Sequence, residues 1–162
     1  MVHRKRVVLH VDDDPHFTRT VARLLGRHGY EVISLNDPAQ VMPLLTRVRI
    51  EVVLLDVEMP GCDGLELLRQ IKTYDGGIGV IMLTGIVTLN TVVQSFRWGA
   101  EACCFKPLLD LKPLLTALDA AFRKIDHWWQ SLEELSLRKD GKRARKLRTP
   151  ATTSAESNAG VG

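Results

Sequence analysis

The chain has 162 residues, 45% hydrophobic and 25% charged, enough for one domain of ordinary size and too few for two, since domains cluster at roughly 100–150 residues. Lys plus Arg number 22 against 19 Asp plus Glu, a net of +3, which excludes a chain that is disordered, or coats nucleic acid, along its whole length. The balance is uneven: Arg138 to Arg148 holds seven basic residues and one acid, a local net of +6, so the globular part is mildly acidic and the tail strongly basic.

At the N-terminus, MVHRKR leads into the apolar run Val7–Val11 and then Asp12, Asp13 and Asp14. That run is too short for a signal peptide or a membrane span and has the length of a strand. Similar runs recur at Tyr30–Leu35, Glu51–Leu55, Ile78–Leu83 and Ala102–Phe105. Between them the spacing predicts helices over about 15–28, 38–48, 65–74 and 88–98, with a fifth after Asp110. Gly29 and Gly99 sit where the first and fourth helices end, and Asn36-Asp37-Pro38 offers a cap with proline at the first helical position. Pro43 falls inside the second helix and should kink or shorten it. Strict alternation with right-handed crossovers predicts an α/β flavodoxin-like, doubly wound five-stranded parallel sheet, order 2-1-3-4-5, with helices on both faces. Three cysteines, with Cys103 and Cys104 adjacent, make no disulfide framework, and no Cys/His spacing suits zinc. A reducing cytosol is the expected location, and alternating strand geometry turns Cys103 and Cys104 to opposite faces as ordinary packing residues.

In such sheets ligands bind outside the carboxyl ends of the strands. The first strand ends in Asp12-Asp13-Asp14, the third in Asp56, the fourth in Thr84-Gly85 and the fifth in Lys106-Pro107. Three carboxylates converging there would repel by on the order of a few kcal/mol per pair at an effective dielectric near 20, so a cation belongs among them. Oxygen donors without His or Cys favour a hard ion, and few carboxylates completed by water suit Mg2+ better than a Ca2+ cage. A lysine and a hydroxyl beside it would complement the oxygens of a phosphoryl group. Asp56, alone at a central strand end, is the candidate nucleophile for an aspartyl phosphate. Asp14 fits the N-cap of the first helix. His10, inside the first strand, is expected to be buried and hydrogen-bonded, and neither it nor His16 is assigned to a metal.

Together Val11-Asp12-Asp13-Asp14-Pro15, Leu54 through Gly64 around Asp56, Leu83-Thr84-Gly85 and Phe105-Lys106-Pro107 resemble the receiver domain of bacterial two-component response regulators, over about residues 5–125. The resemblance implies that Asp56 accepts phosphate from a phosphohistidine on a histidine kinase or histidine phosphotransfer protein. It also implies that Asp12, Asp13, Asp56 and the backbone carbonyl of Glu58 hold Mg2+, and that Thr84 and Lys106 bind the phosphoryl oxygens. Two positions depart from the family pattern, and two more are variable within it. Cys103 stands where an aromatic switch residue is usual, Leu108 replaces the usual Phe after Lys106-Pro107, and Glu58 and Ile86 occupy the variable positions flanking the path of the hydrolytic water.

The expected domain plan is a receiver over 1–125, an extension of the last helix over 126–137, and a basic then polar disordered tail over 138–162. Leu111, Leu115, Leu118, Phe122, Ile125, Trp129 and Leu132 follow a heptad spacing. A helix from 111 to about 137 would run roughly 40 Å at 1.5 Å per residue, more than a receiver-sized core covers. Trp128, Trp129, Leu132 and Leu135 would then form an apolar surface for a second copy or a downstream protein. About 37 residues after 125 are too few for a DNA-binding fold plus linker, so a stand-alone switch, not an enzyme in the turnover sense, is expected. Two rivals come from other classes. One is a Mg2+-dependent phosphatase with Asp56 as nucleophile and Glu58 as general acid, though no cap insertion holds a substrate. The other is a nucleic-acid adaptor, disfavoured because no aromatic residue interrupts the basic run.

Overall fold

The computed structural model describes residues 4–85 and 88–147, the side chains of 140–147 excepted. In chain order the elements are β1 (Arg6–Val11), α1 (Pro15–Gly26), β2 (Tyr30–Leu35), a 3-10 turn (Pro38–Gln40) entering α2 (Val41–Leu45), β3 (Val52–Leu55), β4 (Glu58–Met59), β5 (Cys62–Asp63), α3 (Gly64–Tyr74), β6 (Gly79–Thr84), α4 (Leu89–Arg97), β7 (Ala102–Phe105) and α5 (Lys112–Leu147). The five long strands form one parallel sheet, β2-β1-β3-β6-β7. This is the expected 2-1-3-4-5 order once the two-residue antiparallel pair β4–β5 is set aside. Chain direction across the sheet reverses between β1 and β3, so the crevice beyond their carboxyl ends is where a ligand site forms.

Local chemistry explains the helix boundaries. Asp14, in extended backbone, accepts hydrogen bonds from the amides of His16 and Phe17, and Pro15 opens α1, where a missing N–H costs nothing. Thr18, Val21 and Leu25 are its buried face. Asp63 caps α3 in the same way, and Thr88 caps α4. Gly29 and Gly99, just past α1 and α4, adopt φ of 84° and 92°, the left-handed conformation that glycine tolerates. Pro43 shortens α2 to one turn; it sits in that first turn, whose amides lack intrahelical acceptors in any case.

The sheet separates two apolar layers. On one side Leu9, Val11, Val53, Leu55, Val80 and Met82 pack with Leu67, Leu68 and Ile71 of α3. On the other, Val8, Val52, Leu54, Ile81 and Leu83 pack with Val21 and Leu25 of α1 and with Leu114, Leu118 and Phe122 of α5. β3 and β6 are buried along their whole length, as strands covered on both faces must be. Each fully buried Leu or Phe contributes about 1.5–3 kcal/mol.

Tertiary contacts group the residues up to Asp126 into one compact unit and those from His127 into a second. In the second unit Trp128, Trp129, Leu132 and Leu135 are 64, 42, 51 and 56% exposed. The helix continues to Leu147, past the expected end near 137, so residues 138–147 of the basic run are helical where disorder was expected. Lys, Arg and Ala are good helix formers, and positive charge near a helix C-terminus favours the macrodipole. The rest of the expected tail, 148–162, lies outside the described residues.

Candidate functional site

Asp12 and Asp56 are each set by a backbone bond that carries the sheet ladder one step past the strand. The Asp12 amide donates to Leu35 O (3.2 Å) and the Asp56 amide to Val11 O (3.0 Å). The amide of Lys106 likewise donates to Thr84 O (2.9 Å). β2, β1, β3, β6 and β7 therefore hand their terminal residues to one edge in register.

There, carboxylate oxygens of Asp12, Asp13 and Asp56 lie within 4.8 Å of one another. Asp12 and Asp56 are 1% and 5% exposed, whereas Asp13 faces solvent. The Lys106 ammonium bridges the two buried acids, 2.5 Å from Asp12 Oδ2 and 2.8 Å from Asp56 Oδ2. Burial alone would lower the Lys106 pKa; hydrogen bonds and charge from Asp12 and Asp56 outweigh it and leave the pKa raised, so the lysine is a fixed cation. Its ammonium also lies 4.6 Å from the centre of the Phe17 ring. The remaining oxygens have further donors: the Asp14 amide reaches Asp12 Oδ1 (2.9 Å) and the Glu58 amide reaches Asp56 Oδ1 (3.4 Å). Thr84 closes β6, buried at 1%. The donor set is all oxygen, with one lysine against three carboxylates, and fits a hard divalent cation.

The expected site residues Asp12, Asp13, Asp56 and Lys106 are thus brought together, Thr84 ends the strand beside them, and the Glu58 backbone adjoins Asp56. Asp14 stands apart as a cap. Hydrogen bonds from His16 and Phe17 hold its carboxyl below the usual range. His10 corrects the sequence reading. It is wholly buried, but among the described residues neither ring nitrogen has a hydrogen-bond partner, and burial, with the charge of Lys106 added and that of Asp12 opposing, lowers its pKa to about 4. Cys103 and Cys104 do fall on opposite apolar layers. Burial raises both thiols, which disfavours the reactive thiolate.

Three supports escaped the sequence reading. Asn36 Nδ2 donates to Asp12 O (2.8 Å) and Thr18 Oγ1 (3.0 Å), tying the Asp12 backbone to α1. Gly64 lies so close to the loop after Asp56 that a Cβ would collide with the Asp56 carbonyl oxygen and lie within 2.8 Å of Val57 Cα and O. The β4–β5 turn passes through Gly61 at φ 72°, a conformation that the Pro60-Gly61 dipeptide signals.

A five-stranded parallel sandwich with acids and a lysine at its switch point is the architecture of receiver domains, and solved structures agree. A CheY-like receiver domain protein from Methanospirillum hungatei JF-1 superposes with a TM-score of 0.68 at 27% identity, over 75% of this chain and 99% of that one. The signal receiver domain of an HD domain-containing protein from Pseudomonas fluorescens Pf-5 gives 0.71 at 26%, over 76% and 99%. The profile of the response regulator receiver domain matches residues 8–119, and the chain belongs to that family. Among curated relatives, the C4-dicarboxylate transport transcriptional regulatory protein DctD of Pseudomonas aeruginosa is 35% identical over 131 residues, 81% of this chain and 28% of that protein. Sporulation initiation phosphotransferase F of Bacillus subtilis is 31% identical over 100 residues, 62% of this chain and 81% of that one. The chain spans between 26 and 51% of the length of three of the curated relatives it matches. Among the described residues no helix is long and apolar enough to cross a membrane.

Proposed function

We propose that this chain is a cytoplasmic phosphorylation switch in which Asp56 receives a phosphoryl group from a phosphohistidine on a histidine kinase or histidine phosphotransfer protein. The observation that carries the reading is the Lys106 ammonium held between buried Asp12 and Asp56, with Asp13 completing the acid cluster. An Asp56 carboxylate oxygen attacks phosphorus, the P–N bond breaks, and the electron pair returns to the imidazole nitrogen. Lys106 is placed to accompany the charge that moves onto the phosphoryl oxygens, and Thr84 to donate its hydroxyl to one of them. Asp12, Asp13, Asp56 and the Glu58 carbonyl would hold Mg2+, which when bound neutralises charge on the acids and the phosphoryl group.

The product is a modified protein, so the output is binding and the chain is not an enzyme in the turnover sense. The exposed Trp128, Trp129, Leu132 and Leu135 of α5 supply a surface for a second copy, and a phosphorylation-dependent downstream protein is the remaining partner. Intact mass after incubation with Mg2+ and acetyl phosphate tests the central claim. One hydroxylamine-labile phosphate is expected on wild type and none on Asp56→Asn. Equal labelling of both would refute Asp56 as the acceptor, and sustained Glu58-dependent hydrolysis of a small phosphomonoester would support a phosphatase instead.

A further inference from the structure

His10 lies on β1 two residues before Asp12, opposite Leu54 of β3. Its ring is fully buried and, among the described residues, neither nitrogen has a partner. The other residues of the run are Val7, Val8, Leu9 and Val11, so an apolar side chain at position 10 would continue the pattern and leave no donor stranded. A buried donor without an acceptor is costly and calls for a reason. The nearest anionic atom is specific: Nε2 is 4.0 Å from Asp12 Oδ2, the same oxygen that Lys106 holds at 2.5 Å. Phe17 closes the group, its ring edge-on to His10 at 5.7 Å and beneath the Lys106 ammonium at 4.6 Å.

One ammonium serves two carboxylates here. When Asp56 carries a phosphoryl group, Lys106 gains a third anionic claimant, and its departure would take from Asp12 Oδ2, a buried oxygen, the hydrogen-bond donor that it has here. We propose that His10 is a positioning residue for Asp12: its Nε2–H takes over Asp12 Oδ2 when Lys106 turns to the phosphoryl oxygens. A shift of about 1 Å brings the pair from 4.0 Å into hydrogen-bond range. The imidazole acts as a neutral donor throughout, and no proton changes owner. This inference rests on the proposed phosphorylation of Asp56 and adds the residue that frees the lysine.

The test uses the full chain as wild type, His10→Gln and His10→Leu, titrated with beryllofluoride, a phosphoryl mimic, in the presence of Mg2+ and followed by 19F NMR. Glutamine places an N–H close to the Nε2 position; leucine fills the space without a donor. Leucine should weaken beryllofluoride binding about ten-fold, the effect of one lost hydrogen bond to a charged group, with glutamine within about two-fold of wild type. In 15N-histidine-labelled wild type, the Nε2 proton should move downfield when beryllofluoride binds. Equal affinity of the leucine variant and wild type, equal losses in both variants, or an unmoved ring proton in loaded wild type would each overturn the inference while leaving phosphorylation of Asp56 standing. Wild type that takes neither acetyl-phosphate label nor beryllofluoride would remove the functional reading, and the inference with it.

Discussion

Asp13 is the exposed member of an acid cluster whose other two members are buried, and neutralising it by Asp13→Asn isolates the repulsion within that cluster. Two unit charges 4.8 Å apart, the outer limit of the cluster, repel by about 3.5 kcal/mol at an effective dielectric of 20 and about 0.9 kcal/mol at 80. Solvent exposure places Asp13 near the lower figure, and it faces two neighbours, while Lys106 offsets part of their charge. The expected gain in chelator at low ionic strength is therefore about 1 kcal/mol, or a melting temperature higher by roughly 2–4 °C for a chain of this size. In 1 M NaCl, where the screening length is about 3 Å, most of that gain should vanish. Mg2+ should reverse the order: at a hundred times its dissociation constant it stabilises wild type by about 2.7 kcal/mol, and it should do less for a variant lacking one ligand. Thermal melts in chelator, in salt and across a Mg2+ series give all three numbers. An Asp13→Asn protein less stable than wild type in chelator, or a gain indifferent to salt, would refute the electrostatic reasoning.

Gly64→Ala forces a methyl group against the Asp56 and Val57 backbone, which has no rotamer with which to yield. It should cost about 3 kcal/mol or more, read as a lower urea midpoint at unchanged slope, and an unshifted midpoint would show that the loop gives way freely. Tyr30 is held neutral first by burial and then by its 2.8 Å hydrogen bond to Asp119, raising its pKa to about 12. Its folded pKa exceeds its unfolded value near 10, so its share of stability is complete below pH 10 and is lost as pH rises toward 12. Absorbance titration near 295 nm should show one tyrosine titrating late, absent from Tyr30→Phe; two ordinary transitions would contradict it. Trp129→Glu should convert a dimer in sedimentation to a monomer, and a wild-type chain that is monomeric at high micromolar concentration would exclude self-association through α5.

The sheet was legible because every strand carries its own signal. β3 and β6 are unbroken apolar runs bounded by polar residues, and each delivers its charged or hydroxyl residue within one position of the observed strand end. The sequence alone places Asp12, Asp13, Asp56 and Lys106 at one edge, since parallel topology sends strand ends the same way. What stayed hidden depends on distances between segments far apart in sequence. No local pattern says that Gly64 must pass the Asp56 carbonyl, that Asn36 braces Asp12, or that His10 is left unpaired. The end of α5 is hard to read in the sequence because the charge density of 138–147 points to a solvated tail, while the helix propensity of Lys, Arg and Ala carries the helix onward. β4–β5 is too short for periodicity, though Pro60-Gly61 announces its turn.

The two apolar layers have a consequence for how this chain can vary. Adjacent residues such as Cys103 and Cys104 belong to different layers, and little besides the sheet's own backbone is common to both. Substitutions more than about 7–10 Å apart without shared partners add in their effects. A deletion of methyl groups at Leu68 and another at Phe122 should therefore behave as independent events, whereas Leu118 and Phe122 should be coupled. A lineage can thus rebuild the layer under α5, and whatever that helix meets, through a series of changes that leaves the packing beneath α3 as it was.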